Sequence, residues 1–152
     1  KDNLSLGLNL RKFYGPDGKH APVEISSRDK NDSVQSWLER LKISEIANKF
    51  PGQISGGQRQ RTAIARTLVL EPDLLLMDEP FASLDTPTRE DLQQLVRTIS
   101  IERPLTTVLV THSIEEALYM GEKVLVLKNG VNTNPVILDN PFSGQLTPKS
   151  KR

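Results

Sequence analysis

At 152 residues the chain has room for one ordinary domain with a real core rather than for two independent ones. Its 20 Lys plus Arg offset 19 Asp plus Glu and its apolar fraction is 36%, the composition of a soluble globular protein with no long-range pull towards nucleic acid or an anionic membrane. The lack of cysteine excludes a disulfide scaffold and a thiolate metal site, and apolar runs as short as "LLLM" or "VLVL" exclude a spanning helix, so any membrane link comes through a partner.

In "KDNLSLGLNLR", residues 1–11, leucines alternate at 4, 6, 8 and 10, which argues for a strand, whereas leucine itself favours helix. Residue patterns alone leave both open. Residues 12–30 are rich in Gly, Pro and charge and read as a long loop. Asp32 followed by Gln35 is an N-cap pattern, and Val34, Trp37, Leu38 and Leu41 at i, i+3, i+4, i+7 predict an amphipathic helix over 33–43. After Pro51 and Gly52, "QRQRTAIARTLVL" predicts a helix with Ala65, Leu68 and Val69 on one face, Arg59, Arg61 and Arg66 in water, and Pro72 as its stop.

"LLLM" at 74–77 suits a strand buried on both faces of a parallel sheet. The next helix has Thr86 as cap, Pro87 at its first position, and Leu92, Leu95, Val96 and Ile99 as buried stripe. "TTVLVT" at 106–111 is a second strand, and Ser113 with Glu116 forms a capping box for a short helix that Gly121 ends. "KVLVL" and "VNTNPVIL" flank Asn129-Gly130, a hairpin signal, and the tail "LTPKSKR" is polar and basic. Alternating strands and helices followed by a hairpin describe an α/β fold with a helical part in front.

Three stretches carry chemistry. In "ISGGQRQR", residues 54–61, Ser55, Gly56 and Gly57 lead into a helix whose first amides lack intrahelical partners, so they can seat an anion; alone, the tetrapeptide reads equally as a turn capped by Ser55. "LLLMDEP" ends a strand with Asp78 and Glu79, at the carboxyl edge where parallel sheets bind ligands. Asp78 suits Mg2+ held through water and Glu79 suits proton abstraction from an attacking water, though a lone Asp-Glu is more often two solvated acids. His112 follows the second strand and emerges at the same edge.

These residues together resemble ABC-type ATPases: "ISGGQRQR" their signature motif, "LLLMDE" their Walker B strand with its catalytic glutamate, "SLD" at 83–85 their D-loop, and Thr111-His112 their switch histidine. "KDNLSLGL" is similar to the helical segment after the family's Q-loop, which assigns residues 2–10 to helix. "ANKFPGQ" and the helix before it resemble the subdomain ahead of the signature, and "DEPFASLDTPTREDLQ" with "THSIEEALYMGEKV" are similar to the nitrate, sulfonate and taurine importers. The resemblance implies a partial P-loop NTPase (RecA-like) parallel sheet with a helical subdomain and a C-terminal β-hairpin. It divides the chain into a helical subdomain at 1–70, a RecA-like portion at 71–138 and a tail at 139–152.

It further implies ATP and Mg2+ as cofactors. Ser55, Gly56, Gly57, Gln58 and Asp85 would bind nucleotide, the signature acting in trans on the ATP of a second, head-to-tail ABC ATPase subunit. Asp78 would serve the metal, with Glu79 and His112 catalytic in cis. Transmembrane permease subunits would hold the protein at the inner face of the cell membrane, and no nucleic acid is expected.

No G-x-x-x-x-G-K-[ST] phosphate loop occurs, since Gly18-Lys19 is followed by His20 and reads as a turn, and the Q-loop glutamine and adenine-stacking aromatic are not identifiable. The chain also opens at Lys1 without methionine. The expectation is therefore the signature-bearing part of a longer importer ATPase, inactive alone because the triphosphate is not anchored. A non-catalytic module that pairs with and regulates a full-length subunit is one rival. The carboxyl-terminal lobe of a DNA-repair or chromosome-maintenance ABC ATPase is another, but it calls for heptads before residue 33 and a basic surface that are not seen.

Overall fold

The computed structural model describes residues 1–11, 26–103 and 105–143. Its elements fall into two compact units, Lys1–Leu75 and Leu76–Arg152.

The first unit holds α1 (Asp2–Arg11), α2 (Ser27–Arg40) and α3 (Gly56–Leu68), with two short 3-10 turns between α2 and α3. In α1, Leu4 and Leu8 lie one helical turn apart and are 1% and 2% exposed, while Leu6 between them is 54% exposed. A strand would have placed all three on one face, so the leucine spacing serves helix. The helix packs on α2 and α3. Gly7 permits the close approach, because a Cβ there would lie 3.0 Å from Leu70 Cδ2.

The second helix starts earlier than its Asp32 pattern implied. Ser26 caps it, accepting from the Asp29 amide at 3.1 Å and donating its hydroxyl to Asp29 Oδ2 at 2.7 Å. Ser26-x-x-Asp29 is thus the capping pattern that operates, and residues 27–30 belong to the helix rather than to the expected loop; residues 12–25 lie outside the described residues. The helix also stops at Arg40, short of 43. Lys42 turns left-handed at φ 56, and the Ile43 amide reaches back to the Leu38 carbonyl at 2.9 Å, which satisfies the orphan groups of the last turn. Val34, Trp37, Leu38 and Leu41 are buried as their spacing requires.

In α3, Ala65, Leu68 and Val69 are buried together with Ile64, but Arg61 is not in water. It is 8% exposed and its Nη1 donates to the Leu41 carbonyl at 3.1 Å, placing a cation on the C-terminal cap of α2. The long apolar stem of arginine makes such burial tolerable once the head is bonded.

The second unit continues from β1 (Leu74–Asp78), whose first residues belong to the preceding unit, through α4 (Thr86–Glu102), β2 (Thr106–Val110) and α5 (Ile114–Met120) to β3 (Lys123–Val126) and β4 (Val136–Asp139). Strands β1 and β2 are neighbours in a parallel sheet, joined through α4. Here the continuous apolar run misled. Leu75 and Met77 are buried, whereas Leu74 and Leu76 are exposed, the latter by 67%, so β1 is covered on one face.

The cap of α4 is Asp85, not Thr86, and Pro87 follows within the first turn. Leu92, Val96 and Ile99 form its buried stripe, with Leu95 half-buried and Gln93 buried beside them. Strands β3 and β4 pair antiparallel in the register Lys123 with Asp139 through Val126 with Val136. Their connection, residues 127–135, is longer than a two-residue Asn-Gly turn; Gly130 takes φ 93, and Asn132 braces it by accepting from the Lys128 amide and donating to the Lys128 carbonyl. Among the described residues no helix is long and apolar enough to cross a membrane.

Candidate functional site

The start of α3 is built by a reciprocal cap. Ser55 Oγ accepts from the Gln58 amide at 3.2 Å, and Gln58 Oε1 accepts from the Ser55 amide at 3.0 Å. Each side chain thereby fixes the other. The arrangement uses only acceptor atoms of the two side chains, so the Ser55 hydroxyl hydrogen and the Gln58 Nε2 hydrogens keep their donor capacity. Gly56 and Gly57 are half-exposed, and their amides occupy the first turn, where no intrahelical acceptor exists. Arg59 adds charge nearby, folding back so that Nη1 donates to the Ile54 carbonyl at 2.9 Å. Donors with spare capacity, the helix dipole and a cation thus lie at the helix start, an arrangement suited to an anion.

The second unit presents the acidic edge. Asp78 ends β1 and is exposed. Glu79 follows at φ 42, a left-handed conformation that costs a non-glycine residue about 1–3 kcal/mol and persists only where the surroundings enforce it. Its amide is bonded to the Val110 carbonyl at 2.8 Å, which ties the bend to the end of β2. Two residues beyond Val110, His112 turns its Nδ1 to Glu79 Oε1 at 3.0 Å. Residues 33 apart in sequence thus meet at one sheet edge, with both side chains open to solvent.

Asp85 is engaged differently. Its Oδ2 accepts from the Thr88 hydroxyl at 3.0 Å and from the Thr88 amide at 3.3 Å. The bond from the Thr88 hydroxyl, followed by that from the Thr88 amide, holds its carboxyl below the usual aspartate value. One oxygen is therefore committed to the cap of α4.

Behind this edge the sequence reading missed Arg89 and the bond that joins Thr111 to Glu116. Arg89 donates from Nη2 to the Leu84 carbonyl at 2.6 Å and from Nε to the Phe81 carbonyl at 3.3 Å, gathering the loop before Asp85. The same guanidinium lies 4.0 Å from Glu116, which is buried. Only half of the expected capping box forms: Ser113 Oγ accepts from the Glu116 amide at 3.3 Å, but the Glu116 carboxylate turns to the Thr111 hydroxyl at 2.7 Å. The Thr111 oxygen in turn accepts from the Ser113 amide at 3.0 Å. The S-x-x-E spacing signals a cap, and nothing local in it signals this diversion.

Comparison with known proteins gives the family. The family model described as ABC transporter matches residues 2–82. The chain belongs to the ABC transporter family. It is 37% identical over 147 residues to the sulfate/thiosulfate import ATP-binding protein CysA of Synechocystis sp., covering 94% of this chain and 38% of that one. Among solved structures, cbiO1 from Clostridium perfringens, part of the ABC transporter complex cbiONQ, has a TM-score of 0.73 and 27% identity over 91% of this chain and 49% of its own. A bacterial ABC transporter cassette solved as a dimer has a TM-score of 0.65 and 32% identity over 80% of this chain and 49% of its own. The chain spans 38–40% of the length of the curated relatives it matches. Its fold matches about half of such a P-loop NTPase domain.

The residues fit the family's ligands. Gly56 and Gly57 are half-exposed, so their first-turn amides can meet phosphate oxygens, and a Cβ built at Gly56 would have Arg59 Nη2, at 3.9 Å, as its nearest neighbour beyond the adjacent chain and helix backbone. Among the described residues no cluster of three His or carboxylate side chains forms a metal cage. A single exposed carboxylate such as Asp78 is what Mg2+ uses when phosphates and waters complete its shell.

Proposed function

We propose that the chain is the signature- and Walker B-bearing part of an ATP-hydrolysing subunit of an ABC importer. Ser55, Gly56, Gly57 and Gln58 would donate to the terminal phosphate of ATP held by a second, head-to-tail subunit. Asp78, Glu79 and His112 would serve the nucleotide of their own subunit, with Asp78 holding Mg2+ through water, and Asp85 would contribute to nucleotide binding. Bound Mg2+ would neutralise phosphate charge. Glu79 would take the proton of the attacking water, and His112, bonded to Glu79, would steady that carboxylate and face the phosphate. Permease subunits would anchor the assembly at the membrane. The name of the Synechocystis relative, together with the stretches similar to nitrate, sulfonate and taurine importers, supports a small oxyanion as the imported solute.

The observation that carries this reading is the Glu79–His112 pair at the carboxyl edge of β1 and β2, with Glu79 held in a strained conformation. A solvated acid at a strand end needs neither. The purified 152 residues, which contain no phosphate loop, are expected to show no ATP turnover. In an ATPase completed by phosphate-loop-bearing subunits, Glu79→Gln should retain ATP while turnover falls by about 10²- to 10⁴-fold. Ordinary turnover in that variant, or hydrolysis by the chain alone, would sink the proposal.

A further inference from the structure

We infer that Glu116, acting through Thr111 and backed by Arg89, is a positioning residue that holds His112 against Glu79 and fastens residues 111–113 to the loop at 81–85. It rests on the reading of Glu79 and His112 as the hydrolytic edge only for its meaning in catalysis; the geometry stands apart from that reading.

The argument begins with the Thr111 hydroxyl. By accepting from the Ser113 amide at 3.0 Å, it closes a side-chain turn around the one residue between them, which is His112. That closure restricts the His112 backbone, and the imidazole leaves it aimed at Glu79 Oε1, 3.0 Å away. A threonine hydroxyl can rotate, so the turn alone is loose. Glu116 removes the freedom: its carboxylate takes the hydroxyl hydrogen at 2.7 Å and leaves the oxygen lone pairs to face the Ser113 amide. A bond to an ionised acceptor is about twice as strong as a neutral one.

A buried carboxylate is costly unless it is partnered. Glu116 meets that requirement with the Thr111 hydroxyl and with the charge of Arg89, whose Nε lies 4.0 Å from Oε1 while donating to the Phe81 carbonyl and whose Nη2 donates to the Leu84 carbonyl. One guanidinium therefore links the loop that ends in Asp85 to the turn that carries His112. If Glu116 merely capped α5, its side chain would reach back to the amide of its own N-cap residue, Ser113. That amide is instead given to Thr111.

The test reads the side-chain ¹⁵N resonances of His112 in the full 152-residue chain without nucleotide, with His20→Asn to assign the two histidines. Glu79→Gln should move the His112 Nδ1 resonance. In Thr111→Val, which keeps the shape and deletes the hydroxyl, and in Glu116→Ala, the same Glu79 replacement should leave His112 unmoved, while Thr111→Ser should restore the response. Should Glu116→Ala fail to fold, Thr111→Val and its serine rescue decide alone. An undiminished response in Thr111→Val, or no response to Glu79→Gln in the parent chain, overturns the inference. Because no nucleotide is present, either result is distinguishable from failure of the proposed ATPase role.

Discussion

Asp85 shows how much one side chain's neighbours decide. As part of "SLD" it is expected to bind nucleotide, and in the fold it caps α4 through Thr88. Folding lowers its pKa, so its contribution to stability is complete above the ordinary aspartate range and disappears as the pH falls through the depressed folded value. Asp85→Asn keeps an acceptor for the Thr88 amide and removes the titration. The stability advantage of the parent over this variant should therefore appear on raising the pH through the carboxylate range and vanish in acid, as followed by denaturant unfolding at several pH values. A gap independent of pH would contradict it. The identities of Ser55, Asp78, Glu79 and His112 were legible because each stands in a short motif. The left-handed turn of Glu79 and the bond from His112 to its carboxylate were not, since both depend on β2 lying beside β1.

Helices and strands were read well where the periodicity was helical and poorly where a boundary or a second face mattered. Val34, Trp37, Leu38 and Leu41 are buried at their expected spacing, yet α2 begins at Ser27 because Ser26 offered a competing cap. Arg61 illustrates the same limit from the other side. Its place in "QRQR" suggests a wet face, but the carbonyl of Leu41 takes it inside. Arg61→Met keeps the apolar stem and leaves that carbonyl without its cation. It should cost about 1–3 kcal/mol in denaturant unfolding, the penalty for a buried group deprived of its partner. A loss below about 0.5 kcal/mol, the range of ordinary surface changes, would mean the bond is incidental.

Across the molecule, β1 and β2 expose alternate residues, Leu74 and Leu76 from one strand and Val108 and Val110 from the other. Unfolding of the 152-residue chain should therefore separate adjacent leucines of one apolar run. Leu75→Ala should lose about 2–5 kcal/mol, and Leu76→Ala should stay within about 0.5 kcal/mol. Equal losses would mean both faces are covered. The order of elements, the helical spacing of the buried residues and the candidate motifs follow from the amino acids alone, because caps, periodicity and glycine-led helix starts act over a few neighbouring residues. Which face of β1 is covered, why Arg61 is buried and where the Glu116 carboxylate turns are settled by packing, because each depends on atoms that only the folded chain brings within bonding distance.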